Sequence, residues 1–340
     1  MGRILSVGLC FGVTLLVGCA SQSAVTPPGA TAPGGIVARQ ISPRLPWQTP
    51  RLGRPDARRS WMAPDAKWRD LLYVSDDTTY DVYVFSYPQG RLVGTLTRFA
   101  APGSLCSDPH GDVFIPNVLT STIVEYAHGS ASPIATLNDA TQSYPDACDV
   151  NPVTGDLAVS NNGSGTGEGR GDIAIYHAAA GNPAFYRAMY HPYSCGYDPK
   201  GKLFIDGEDA SFDNFQFGVL PAAGRRYHKI VLNQSISLAG GVAWDGARIA
   251  VGDVYGAAIY QFSINGSKGD RVGSTPLTGT IAAWQFEVDR GRVVVPNYDA
   301  RNQNGSKILS YDYPSGGAAR KAFGAGIVLD PVGATVSRPQ

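Results

Sequence analysis

The residues best suited to chemistry fall in loops. Asp206, Glu208, Asp209 and Asp213 lie within eight residues, a density of carboxylate oxygens that suits calcium when the spacing lets them converge. The spacing is not that of an EF-hand loop, so a solvated acidic loop is the competing reading. No cofactor is expected, and calcium is the one ion the pattern favours. A second polar loop carries Tyr298, Asp299, Arg301, Asn302 and Asn304. A third runs from Asn162 to Gly171 through Glu168 and is rich in glycine, but it lacks the Lys-Ser/Thr ending that cradles a nucleotide phosphate. Tyr144, Asp146, Tyr190, His191, Tyr193 and Trp284 add flat rings beside carboxylates. That mixture suits a sugar or peptide surface, because aromatic side chains bury area at little entropic cost. Tyrosines that merely cap strand ends are the alternative. The five histidines form no His-Glu-x-x-His string, and no Gly-x-Ser-x-Gly occurs.

Such loops need a rigid frame, and a recurring phrase supplies it. LYVSD ends at Asp76, VFIPN at Asn117, LAVSN at Asn161, LFID at Asp206, IAVGD at Asp253 and VVVPN at Asn297, at spacings of 41 to 47 residues. A period of that length predicts an all-β, six-bladed β-propeller of four-stranded antiparallel blades. Each phrase is rich in Val, Ile and Phe, as a strand buried on both faces requires. Asp-Pro-x-Gly strings at Asp108 and Asp198 mark the turn before it. The Asp or Asn that closes each phrase reads as a structural residue, since a short polar side chain there can bond nearby backbone amides. Six copies fit a scaffold better than a single active site. The first repeat starts at its second strand, and Gly326 to Pro331 copies the inner-strand pattern. The C-terminal segment is therefore expected to supply the missing inner strand of blade 1 and close the ring. The long polar loops and the loops entering each inner strand then share one rim.

The N-terminus has a different composition. Arg3, the apolar run Ile4 to Val17 and the string Leu16-Val17-Gly18-Cys19 read as a signal segment. The string resembles the lipobox of bacterial lipoproteins, which implies removal of residues 1–18 and lipidation of Cys19. Ala20 resembles the sorting residue of outer-membrane lipoproteins. The expected location is the bacterial cell envelope, lipid-anchored at the outer membrane and facing the periplasm or the cell surface. Residues 19–60 read as a flexible tether with a basic collar, and residues 61–340 as the propeller. Eight Arg or Lys between Arg39 and Arg69 oppose only Asp56 and Asp65, whereas the remainder from residue 70 carries 19 basic against 26 acidic residues. The collar suits anionic head groups. The alternative is a solubilising linker, with Trp47, Trp61 and Trp68 packing it back onto the ring. Nucleic acid is not among the expected partners.

Cys106, Cys148 and Cys195 stand 11, 13 and 11 residues before Asn117, Asn161 and Asp206. The matching positions in later repeats are Val242, Phe286 and Ile327, so these cysteines are expected to be small buried hydrophobes. A disulfide or a thiol metal site is the competing reading.

The repeats, over roughly residues 70 to 332, resemble those of the NHL-repeat and gluconolactonase-like six-bladed propellers. The resemblance implies a scaffold shared by scaffolding proteins, glycan or peptide binders, lactonases and lyases. A lactonase of that kind would hold one divalent ion among Glu, Asn and Asp from several blades. Here the inner strands offer mainly Asp149 and Glu287, beside Ser107, Gly196, Ala243 and Val328, which departs from that pattern. The expectation is an envelope-anchored, non-catalytic binding or scaffold lipoprotein whose rim takes a glycan, peptide or protein partner. A lactonase-like hydrolase or lyase and a structural subunit of an envelope assembly are the alternatives.

Overall fold

The computed structural model describes residues 59–139, 144–163, 170–222, 224, 226–299, 302 and 305–340. The signal segment, Cys19, the tether as far as Arg58, and Glu168, Arg301 and Asn304 lie outside the described residues.

Six antiparallel sheets form a six-bladed propeller. The recurring phrases are its second strands: Leu71–Asp76, Val113–Asn117, Leu157–Asn161, Leu203–Glu208, Ile249–Asp253 and Arg292–Asn297. They are buried along almost their whole length, because blades pack against them on both faces. Six apolar cores result, one at each junction between neighbouring blades. Blade 1 gains a fifth, outermost strand, Trp61–Met62, paired to Leu92–Leu96. Helix among the described residues is limited to isolated 3-10 turns.

The C-terminus does close the ring, with a strand placed later than expected. Blade 1 takes Pro331–Ser337 as its inner strand, in register from Leu71 opposite Ser337 to Asp76 opposite Pro331. Residues Gly324 to Val328 instead form a turn, with the Ile327 and Val328 amides both bonded to the Gly324 carbonyl at 2.9 Å. Gly324 and Gly326 adopt φ of 68° and 72° there, a region that glycine enters without a Cβ clash. Val328 packs into the core between blades 6 and 1, and Thr335 occupies the position on the central channel that was expected of Val328.

The cysteines require a second correction. Cys106 and Cys148 form a disulfide with Cα atoms 5.6 Å apart, while Cys195 is free and buried. Inner strands are the closest approach between neighbouring blades, so equal positions in blades 2 and 3 meet. The bridge joins two blades across a separation of 42 residues.

The residue closing each second strand acts as a fastener. Asp76 accepts the Leu329 and Asp330 amides at 2.6 and 3.0 Å. Asn117 accepts Ala100 N–H at 2.6 Å, Asp206 accepts Ser194 N–H at 3.0 Å, Asp253 accepts Ser237 N–H at 3.1 Å and Asn297 accepts Ile281 N–H at 2.6 Å. The donor belongs to the segment entering the inner strand of the same blade, except Ser194, which lies within that strand. Asn161 differs, its amide donating to Asp139 at 2.7 Å and Asp172 at 2.8 Å. The fasteners fix the loops of the upper rim, where second strands end and inner strands begin.

Candidate functional site

The inner strands of blades 3 and 4 each carry a β-bulge at their upper ends. In blade 3, Ser160 pairs with Ala147 and Asn161 with Pro145, which leaves Asp146 as the extra residue. In blade 4, Pro192 pairs with Gly207 and Ser194 with Asp206, which leaves Tyr193. A bulge withdraws a residue from the ladder and re-aims its side chain. Asp146 and Tyr193 thereby meet at one place on the rim. The Tyr193 hydroxyl donates to Glu208 Oε2 at 3.2 Å, and the Asn162 amide approaches Asp146 Oδ2 at 3.5 Å. Ser160 secures the second bulge by donating to the Tyr193 carbonyl at 2.9 Å.

An aromatic ledge adjoins this group. The His191 ring stacks on Phe212 with centroids 3.8 Å apart and meets Tyr190 edge-on at 4.8 Å. Its Nδ1–H donates to the Asn162 carbonyl at 3.0 Å. Burial holds the His191 pKa below its usual value, so the imidazole is neutral at neutral pH. Tyr255, from blade 5, is 43% exposed and lies within electrostatic reach of Glu208.

Carboxyls here are displaced from their ordinary state. Burial pushes Asp146 up to about 7, opposed by the Asn162 amide. Glu208 is likewise raised by burial to about 7, opposed by the Tyr193 hydrogen bond. Asp206, fully buried, is pushed to about 8 against the pull of the Ser194 and Gly241 amides. Taking a carboxylate out of water disfavours its charged form, and these groups respond by holding protons. A protonated carboxyl both donates and accepts, which matches hydroxyls and amides.

The expected site residues therefore divide. Asp146, His191, Tyr193, Asp206 and Glu208 gather at the rim of blades 3 and 4. Asp209 holds its own loop instead, accepting Ser211 N–H at 3.0 Å and the Asn214 amide at 2.6 Å. Asp213 is exposed nearby. Tyr144 packs with Tyr80, Ala101 and Val118, and Trp284 with Leu238, Val254 and Ala282, so both stabilise rim loops elsewhere. Tyr298 and Asp299 are half-buried on blade 6, with Asp299 N–H donating to Ser306 at 3.0 Å. No three His, Cys, Asp or Glu side chains among the described residues converge to hold a metal ion. Phe212 carries no signal in the sequence beyond its place inside the acidic loop.

The central channel encloses about 240 Å³ and is lined by residues of all six inner strands, including Asp149 and Glu287. Asp149 has both oxygens engaged, by the Val150 amide at 2.9 Å and the Tyr197 amide at 2.6 Å. Burial raises Glu287 to about 8, with Asp149 adding repulsion.

No family model and no curated protein matches the sequence. Solved structures do match in fold. A chain of a nidogen/laminin complex superposes with a TM-score of 0.62 at 11% identity, covering 80% of this chain and 99% of that one. A protein of unknown function from Bacteroides caccae gives 0.60 at 10%, covering 79% and 99%. A functionally unknown protein from Desulfotomaculum acetoxidans gives 0.56 at 11%, covering 80% and 100%. At such identities the likeness is one of fold. A six-bladed propeller is compatible with a binding or scaffold role.

Proposed function

We propose that this chain is a lipid-anchored envelope protein that binds a hydroxyl-rich envelope glycan, without chemistry, on the upper rim of blades 3 and 4. The observation that carries the reading is the cluster of Asp146, Asn162, Tyr193 and Glu208 beside the His191 and Phe212 stack. Carboxyls held near neutrality supply donors and acceptors together, and the half-buried Phe212 ring, backed by the buried His191, supplies area for a sugar face. Support for the envelope comes from the Leu-Val-Gly-Cys string at residues 16–19. Kinship with NHL-repeat and gluconolactonase-like propellers belongs to the same proposal and rests on the repeated phrases.

Affinity capture of the full chain on immobilised peptidoglycan and envelope polysaccharide tests it. Phe212→Ala is expected to weaken binding about fivefold through loss of ring contact, and Glu208→Gln to change the pH dependence of binding. Equal capture of wild type and both variants would remove this rim as the binding site. Capture of a protein or peptide in place of glycan would reassign the ligand.

A further inference from the structure

The lower rim, where the second strands begin, carries a local excess of basic side chains at the junction of blades 6 and 1. Around the junction of blades 6 and 1, carboxylates are each shared by two guanidinium groups. Asp65 lies between Arg69 at 2.8 Å and Arg91 at 3.6 Å. Asp70 lies between Arg338 at 3.3 Å and Arg290 at 3.8 Å, and Asp312 between Arg320 at 2.5 Å and Arg292 at 3.1 Å. Arg338 also pairs with Asp289, so the Asp70 group is balanced, whereas Asp65 and Asp312 each leave one of their two guanidinium neighbours uncompensated. Lys321 adds a further charge, its ammonium donating to the carbonyls of Pro88 and Gln89 at 2.6 and 2.8 Å. The side chains of Arg91, Arg290 and Arg320 remain 66%, 72% and 64% exposed. A groove of about 460 Å³ runs among Arg290, Arg292, Arg320 and Lys321.

The same rim presents Trp68, which is 72% exposed, with the Lys67 ammonium 4.9 Å from its ring centroid. An indole left in water beside basic side chains is the composition found at the interface of a bilayer, where the ring sits at head-group level. By contrast, the upper loops carry Asp77, Asp209, Asp213 and Asp299, which an anionic surface repels. The basic patch of blades 6 and 1 and the acidic loop of blade 4 thus lie on opposite rims.

We infer that the lower rim at blades 6 and 1 docks on an anionic lipid surface and turns the upper rim away from it. The presence of a membrane rests on the envelope reading above, whereas the asymmetry of charge stands without it. Each uncompensated basic side chain near such a surface is worth up to about fivefold in partitioning. The attraction weakens with salt, because exposed charges are screened beyond the Debye length.

Hydrogen exchange of the full chain, with vesicles of equal parts phosphatidylglycerol and phosphatidylcholine and with vesicles of phosphatidylcholine alone, tests this. Anionic vesicles are expected to slow exchange several-fold at residues 65–70, 87–91 and 313–321, and to leave residues 207–215 unchanged. Arg290→Glu with Arg320→Glu is expected to abolish that slowing, and because each new carboxylate faces Asp70 or Asp312, a thermal melt checks that the ring remains folded. Trp68→Ala is expected to reduce the slowing. Equal exchange in both vesicle types, or slowing that survives the double charge reversal, would overturn the docking surface. The mass of the mature N-terminal peptide reads the lipid on Cys19 separately. An unlipidated cysteine with intact docking would sink the anchor and leave this surface standing.

Discussion

Breaking the Cys106–Cys148 bridge should cost the ring a large share of its stability. The bridge closes a loop of 42 residues, about one blade. A loop of that length removes about 13 cal/mol/K of entropy from the unfolded chain, or about 4 kcal/mol near room temperature. Unfolding entropy of about 2.1 cal/mol/K per residue, summed over the ring, converts this to a fall in Tm of about 7 °C. Calorimetric melts of the wild type, the reduced wild type and Cys106→Ala/Cys148→Ala measure it. The reduced protein removes the bridge without deleting side-chain volume, so it separates the cross-link from any cavity. Cys195→Ala serves as a control for packing alone, and its melt should respond to reductant as the wild type does. Reduction that leaves Tm within about 1 °C would refute the entropic reasoning. So would a Cys195 melt that no longer depends on reductant.

Three further outcomes follow from the frame and the rim. Truncation after Phe323 removes the inner strand Pro331–Ser337 and both amides held by Asp76, and should lower Tm by more than loss of the disulfide. Asn117→Ala leaves the Ala100 amide, bonded at 2.6 Å in the wild type, without its acceptor, at a cost of about 1–3 kcal/mol in denaturant unfolding. For pH, Glu208 is raised from 4.5 to about 7 and Asp206 from 3.8 to about 8. The folded state then holds more protons than the unfolded state between those values, so stability falls as pH rises from about 4 to about 8. The Glu208 share is on the order of 3 kcal/mol. Glu208→Gln should flatten that slope, and an unchanged slope would show that the carboxyl is not held protonated.

The repeated phrases made the fold legible, because a strand covered on both faces is written mainly in apolar residues. Asp76, Asn117 and Asn297 were legible for a related reason, as every blade needs its entering loop tied down. The closing strand was found but misplaced, since Gly326 to Pro331 copies the inner pattern while Gly324 and Gly326 turn the chain there. The disulfide was hidden by the spacing itself: cysteines one blade apart look like a repeat position, and only ring closure shows that such positions touch. Asp146 and Tyr193 were recognisable as rim residues, but their meeting depends on two bulges, and a bulge is a matter of register that composition does not reveal. Trp284 has the residue type of a rim anchor, yet it packs among Leu238, Val254 and Ala282.

The most direct test of the proposed binding surface is hydrogen exchange of the full chain with and without solubilised envelope polysaccharide. Binding at the rim of blades 3 and 4 should slow exchange in residues 187–193 and 207–215, and Phe212→Ala should restore the unbound rates. Slowing confined to the lower rim or to the blade 6 loop around Asp299, or none while the polysaccharide is demonstrably bound, would contradict it.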